Sequence, residues 1–322
     1  MNPIRVGLKL DRTCATTLSL ETSIGTVRLK NPVTVASGTF GYGREFESFV
    51  DLSRLGAVAV KGLTLEPRAG NRPPRVVETP AGMLNAIGLE NVGVERYLSE
   101  KLPYLRQFDV PIIANISGFS IEEYTALTER LCEAHGADLI EVNVSCPNVR
   151  HGGMAFGSDP KMLEQITRAV VERSTVPVIV KLSPNVTDIA AMARVVEQAG
   201  AAAVSLVNTF LAMVVDVETR RPVLGNVTGG LSGPAIRPIA VRMVREVFKA
   251  VSVSIIGMGG IMTARDALEF IIAGASAIAI GTANFVNPSA ALDVLGGMEE
   301  YCRRQGIQDL RRLIGSLVTD ND

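Results

Sequence analysis

A cysteine and two carboxamides stand close together in Asn143-Val144-Ser145-Cys146-Pro147-Asn148. A thiol there can take or give a proton, and asparagine amides can hydrogen-bond a planar polar ring. The apolar run Asp138-Leu139-Ile140-Glu141-Val142 just before it reads as a buried strand, and Pro147 stops that strand and stiffens the loop. A lone cysteine in a turn is more often an inert, half-buried side chain. What else the fold brings beside it decides between the two readings. The next residues, Val149-Arg150-His151-Gly152-Gly153-Met154, carry the glycines of a mobile lid.

The segments that must position these groups alternate between two phrases. One follows a Gly-Ala pair: Gly56-Ala57, Gly136-Ala137, Gly200-Ala201 and Gly274-Ala275 precede strands over 58–61, 139–144, 204–208 and 278–281. The other follows a Val-Pro-like entry, before strands over 33–37, 112–117, 178–183 and 253–257. Helical periodicity fills most of the intervals. Ser120-Ile121-Glu122-Glu123 reads as a capping box, Asp159-Pro160 as a helix start, and 188–198 and 263–272 as further helices. Strands apolar on both faces that alternate with helices imply a parallel sheet covered by helices. Eight such units predict an α/β fold, a (β/α)8 TIM barrel. An open doubly wound sheet is the alternative, but it leaves the alternation unexplained.

Two excursions interrupt the pattern. Segments 16–21 and 26–30 flank Ser23-Ile24-Gly25 and read as an N-terminal hairpin closing the barrel floor. Segments 213–218 and 222–227 read as an extra hairpin after strand six. The connection 63–92, rich in proline and glycine, is too long for an idle loop and reads as functional. The expected organisation is an N-terminal extension over 1–16, a single barrel over 17–315 and a tail over 316–322.

In such a barrel, chemistry sits where the strands end. Those ends carry Ser37-Gly38, Lys61-Gly62, Asn115, Asn143 with Cys146, Lys181, Asn208-Thr209, Gly259-Gly260 and Gly281-Thr282. Singly, a lysine there is a solvated surface group and an asparagine a turn former. Together at one mouth they favour a ligand site. Glycine turns before helices, after strands seven and eight, suit a phosphate. Lys61 and Lys181 then face the organic part of the ligand, where two ammonium groups suit a ring that gains negative charge, such as a reduced flavin. No GxGxxG follows the first strand, so a Rossmann dinucleotide site is not supported.

Composition sets the limits. The chain has 322 residues, 47% hydrophobic, with a formal net charge of −1, which argues against disorder and against nucleic-acid binding through net positive charge. Its four cysteines, Cys14, Cys132, Cys146 and Cys302, form no CxxC pair, so neither a zinc site nor a disulfide framework is expected. There are two histidines, His135 and His151, too few for a multi-histidine metal site, and no metal is expected. No apolar run reaches the roughly 20 residues of a membrane span, and no signal-peptide core is evident; a reduced, cytoplasmic setting is expected.

Over 18–313 the chain resembles the class 1 dihydroorotate dehydrogenases. The resemblance is carried by Asn85-Ala86-Ile87-Gly88-Leu89-Glu90-Asn91, by Asn143-Val144-Ser145-Cys146-Pro147-Asn148, by Asn208-Thr209 and by Gly229-Gly230-Leu231-Ser232-Gly233-Pro234-Ala235. Cysteine in the second motif marks class 1; the membrane-bound class 2 enzymes carry serine. Glu218-Thr219-Arg220-Arg221-Pro222 and Ser232, where the fumarate-using 1A homodimers tend to have glycine, resemble class 1B. That class pairs with a subunit carrying FAD and a [2Fe-2S] cluster and passes electrons to NAD+. The resemblance implies oxidation of dihydroorotate to orotate in pyrimidine biosynthesis. It implies one FMN per chain, touched by Ser37, Lys61, Gly62, Asn115, Asn143, Lys181, Val207 and Gly233, with its phosphate on Gly259-Gly260 and Gly281-Thr282. It implies substrate held by Lys61, Asn85, Ala86, Ile87, Gly88, Leu89, Asn143, Asn208 and Thr209, with Asn148 adding an amide and Cys146 as the base for the C5 proton. The implied assembly is a homodimer of this chain with one electron-transfer subunit on each, a heterotetramer. Other readings stay open: a 1A-type fumarate-using homodimer, a non-redox phosphosugar aldolase or isomerase with Lys181 as a Schiff base, a flavin-binding subunit without activity, or a different dihydropyrimidine as substrate.

Overall fold

The computed structural model describes residues 18–144 and 153–319. Cys14, Cys146, Asn148 and His151 lie outside the described residues, as do most of the lid segment 149–154 and the last three residues of the chain. Eight parallel strands close into a barrel: β1 (Val33–Val35), β2 (Ala57–Ala59), β3 (Ile112–Ile116), β4 (Leu139–Asn143), β5 (Val178–Lys181), β6 (Ala203–Leu206), β7 (Ser254–Met258) and β8 (Ala277–Ile280). Each strand pairs with its successor, and β8 returns to β1 with Ile278 opposite Val33. The expected (β/α)8 architecture is what the chain forms.

The burial pattern explains the unbroken apolar runs. Outward residues such as Val58, Ile140, Val180 and Ile278 pack against the surrounding helices. Inward residues make a second core: Ile113, Leu139, Ile179 and Ile256 interdigitate with Ala57, Ala203 and Ala277. Alternating large and small side chains fill the barrel as a packed interior. The Gly-Ala phrases mark the turns that enter even-numbered strands. At Gly56, whose N–H donates to Val33 O, an added Cβ would stand 2.0 Å from the carbonyl of Asn31.

Side-chain caps start the helices, at Asp159 as the sequence predicts and at Asp188 and Thr263 as well. Asp159 accepts from the N–H groups of Lys161 and Met162, Asp188 from Ala191, and Thr263 with Asp266 forms a reciprocal capping box. The box expected at Ser120 is only half made. Ser120 Oγ accepts from the Glu123 N–H, but the Glu123 carboxylate reaches past it to the Phe119 N–H at 2.8 Å.

Both excursions differ in detail from expectation. The floor hairpin pairs Thr22–Ile24 with Val27–Leu29, so Ser23 and Ile24 are strand and Gly25-Thr26 is the turn. Ile24 and Leu29 must both reach the inner core, which sets this register. After β6 the hairpin ladder is only Val215–Asp216 against Arg221–Pro222. Residues 222–227 are not a second strand arm, because Leu224 turns inward to pack on Leu84 and Ala86. The chain then returns as Gly229–Ser232, and here it meets the 63–92 connection. Val76–Thr79, Gly82–Asn85, Gly229–Ser232 and Phe210–Ala212 form one antiparallel sheet over the barrel mouth. The segment 63–92 is thus half of a cap. Among the described residues no helix is long and apolar enough to cross a membrane.

Two glycines separate close packing from chain entropy. Gly56→Ala is expected to lower unfolding free energy by about 3 kcal/mol or more, because backbone must move. Gly296, on the exposed face of the helix Ala290–Gln305 with nothing within 4 Å of an added Cβ, should gain about 0.5–1 kcal/mol as alanine. Denaturant unfolding of the two variants checks the opposite signs.

Candidate active site

The barrel strands end on one rim, and beneath the cap sheet that rim encloses a cavity of about 470 Å³. Its wall collects most of the residues singled out above. β1 and β2 contribute Ser37, Lys61 and Gly62; β3 and β4 contribute Asn115 and Asn143; β5 and β6 contribute Lys181, Val207, Asn208 and Thr209. Gly259, Gly260, Gly281 and Thr282 close the circle after β7 and β8. From the cap come Asn85, Ile87, Gly88 and Leu89. Two expected contacts stand off the wall. Ala86 is fully buried under the cap against Leu84 and Leu224, because neighbouring strand residues face opposite ways. Gly233 is wedged between the cap and the loop after β7: a Cβ on it would meet Gly82 Cα at 2.6 Å, and its carbonyl is 2.6 Å from where Gly260 would carry one.

The polar groups are held from behind. Inward positions on β4 are Leu139, Glu141 and Asn143, so a carboxylate sits one layer below the mouth. Glu141 is 3% exposed and accepts from Asn115 Nδ2 and from Ser205 Oγ, each at 2.6 Å. Tyr124, from the helix Ile121–Glu133, donates its hydroxyl to the carbonyl of Asn143 at 2.8 Å. Asn208 Nδ2 lies 3.4 Å from Asn143 Oδ1, joining two amides across the mouth. Asn115 Oδ1 is buried and has no partner among the described residues.

Among the described residues the wall carries the charged groups Lys61, Glu90 and Lys181. Lys61 Nζ is 3.9 Å from the Glu90 carboxylate, which also takes Arg75 Nη1 at 3.1 Å. Lys181 is 6% exposed on the wall. Tyr42, in the loop after β1, is buried, and that desolvation pushes its phenol up to about 12, so it stays neutral.

The cap loop has its own scaffold. Asn91 is buried and serves as its hub: its Nδ2 donates to Thr64 Oγ1 and to Leu89 O, and its Oδ1 accepts from the Gly93 N–H at 2.8 Å. Asn71 Nδ2 donates to Ala86 O at 3.0 Å. Asn85 Nδ2 reaches Gly230 O, while on the other side of that glycine a Cβ would strike Thr209 Oγ1 at 2.0 Å. Glycine at 230 therefore lets the 63–92 connection and the segment after β6 close on each other.

At the opposite end, the loop after β7 is shaped by Asp266. It accepts from the N–H groups of Met262 and Thr263 and pairs with Arg237. Thr282 Oγ1 and Ser232 Oγ, 2.8 Å apart, tie the cap to the end of β8. A recess lined by glycine backbone beside two ammonium groups and several carboxamides suits a planar polar ring carrying an anionic tail.

The wall also includes residues that sequence reasoning missed. Glu90, Val76 and Met83 come from the cap, Phe285 from the short helix Ala283–Val286, and Ile236 and Met262 from beside the glycine loops. Glu90 lies within a motif already singled out. Val76 and Met83 depend on cap pairing between residues such as Gly230 and Asn85, far apart in the chain, for which the Gly229-Gly230 pair is the one local sign.

Comparison with known proteins places the chain. Residues 19–301 match the family model described as dihydroorotate dehydrogenase. The chain is 56% identical over 299 residues to the dihydroorotate dehydrogenase B (NAD(+)) catalytic subunit of Desulforamulus reducens, covering 93% of this chain and 98% of that one. The proteins of the same name from Desulforudis audaxviator and a Thermoanaerobacter species are 56% and 52% identical, covering 91% and 94% of this chain and 96% and 100% of theirs.

Removing the hub amide tests the cap scaffold. Asn91→Ala leaves buried partners unsatisfied, at about 1–3 kcal/mol. Hydrogen exchange at the amides of residues 86–89 is expected to quicken about tenfold or more, with little change at β3 or β4.

Proposed function

The chain belongs to the dihydroorotate dehydrogenase family, and from that membership we propose that it binds FMN at the barrel mouth, oxidises dihydroorotate to orotate there, and delivers the electrons to NAD+ through a partner subunit carrying FAD and a [2Fe-2S] cluster. The observation that carries this reading is the convergence of Lys61, Lys181, Asn115, Asn143 and the two glycine loops on one cavity under the cap.

The residues present fit FMN. Asn115 Oδ1, without a partner among the described residues, can accept from an N–H, and an oxidised isoalloxazine has one ring N–H, at N3. The nearest atom to a Cβ added at Gly281 is 3.6 Å away, and none lies within 4 Å at Gly38, so backbone on that side is open to close approach. Ser37, Lys61, Gly62, Asn115, Asn143, Lys181 and Val207 would hold the ring, with Gly233 supporting them from behind. Gly259, Gly260, Gly281 and Thr282 would hold the phosphate. When bound, FMN supplies an acceptor at N5 for the hydride from substrate C6.

The protein's part is orientation and proton transfer. Asn85, Asn143, Asn208 and Thr209 would fix the pyrimidine through its amide edge, with Ile87, Gly88 and Leu89 covering it. Lys61 would pair with the substrate carboxylate and leave Glu90 to Arg75. Lys181 would stabilise negative charge that develops on the ring during reduction. Cys146 lies outside the described residues; its position three residues after Asn143, the last residue of β4, supports its assignment as the base that takes the C5 proton. Loss of that proton and of the C6 hydride leaves the C5–C6 double bond of orotate.

Two outcomes test the reading. Cys146→Ala is expected to cost about 10²- to 10⁴-fold in turnover while the protein stays yellow, and Cys146→Ser should recover more activity at high pH than alanine does. An ordinary thiol titrates near 8.5, so wild-type turnover should rise toward alkaline pH. Normal turnover of Cys146→Ala at neutral pH would remove the base assignment. Dihydroorotate should bleach the purified chain anaerobically, and NAD+ should reoxidise it only with the iron–sulfur subunit present. Reoxidation by fumarate alone would favour the 1A-type alternative.

A further inference from the structure

We infer that Glu141, which the reaction itself does not use, is a positioning residue that fixes the Asn115 amide with its oxygen toward the cavity and so makes the site demand an N–H donor there. The inference rests on the reading that the cavity binds FMN.

The geometry is specific. Glu141 lies on the inward face of β4, one layer below Asn143, and is 3% exposed. One carboxylate oxygen accepts from Ser205 Oγ on β6 and the other from Asn115 Nδ2 on β3, both at 2.6 Å. A carboxylate accepts and does not donate, so the amide must turn its nitrogen down into the barrel. Its oxygen is then turned away from Glu141, buried and without a partner among the described residues, in a side chain that lines the cavity. Gly62 keeps that oxygen approachable; a Cβ at 62 would stand 3.0 Å from it. Without Glu141 the amide could present either end, and its nitrogen would repel the only ring N–H of an oxidised flavin. A buried carboxylate is costly unless its oxygens are hydrogen-bonded. Here both are, and the arrangement decides which end of Asn115 the ligand meets.

The test compares wild type, Glu141→Met and Glu141→Gln. Methionine keeps the volume but removes the acceptor. Glutamine keeps a carbonyl oxygen for Asn115 Nδ2 while its own amide faces Ser205. Apoprotein is titrated with ¹⁵N-labelled FMN, and the N3–H resonance and its exchange with water are followed by NMR, alongside flavin fluorescence for affinity. Wild type is expected to hold N3–H in slow exchange. Glu141→Met is expected to lose that protection and to weaken FMN binding about tenfold or more, the loss of a hydrogen bond with a buried group left unsatisfied. Glu141→Gln should restore most of both, which a merely space-filling role for Glu141 would not explain. Unchanged N3–H protection in Glu141→Met overturns the inference. So does a wild-type N3–H that exchanges as fast as in free FMN, a measurement that stands even if Glu141→Met fails to fold. Wild-type apoprotein that takes up no FMN removes the functional reading itself, and this inference with it.

Discussion

Closure of the parallel barrel is the constraint from which the rest follows. A ring of eight strands has no free edge, so every strand must end on one of two rims. Lys61, Asn115, Asn143, Lys181 and Gly259 are scattered over some two hundred residues of chain, yet closure gathers them around a single opening. The interior beneath is packed with isoleucine, leucine and alanine, which leaves no room for a ligand below the mouth. Function is thereby confined to the top layer and to whatever covers it.

The cover is built from two segments that are not neighbours in sequence. One leaves after β2 and the other after β6, and they join where Gly230 passes between Asn85 and Thr209. The cap is thus held by backbone pairing across the mouth and by the small apolar cluster of Leu84, Ala86 and Leu224, and its loop is set by the buried Asn91. Polar organisation suits this place. An apolar cap would pack tightly over the opening, whereas hydrogen-bonded loops with glycine at 88 and a left-handed Leu89 can present backbone and small side chains to a ligand.

Much of the fold was legible in the sequence because its signals are local. Strands buried on both faces read as continuous apolar runs, and Gly56, Gly136, Gly200 and Gly274 mark the turns before every second one. Residues at strand ends were legible for the same reason, since a barrel turns position along a strand into position at the mouth. The cap was not, because its pairing joins residues about 145 apart and short glycine-rich strands have weak local preference. Hairpin registers shifted for a related reason: Ile24 and Leu224 follow their burial partners, which no turn signal names. The Glu123 carboxylate chose Phe119 over Ser120 by geometry that a capping pattern does not encode.

The polar layer between core and mouth decides how stability and binding are linked. Asn115, Glu141 and Ser205 occupy volume that apolar side chains would fill with less desolvation, so the layer is a poor device for stability alone. It also leaves Asn115 Oδ1 without a partner among the described residues, an acceptor that a bound donor can satisfy. A ligand that supplies that donor stabilises the folded state by mass action. On the proposed reading the layer couples folding to occupancy: a ring with an N–H in the right place would stabilise the chain, and the layer that gives up apolar packing would select what fills the mouth.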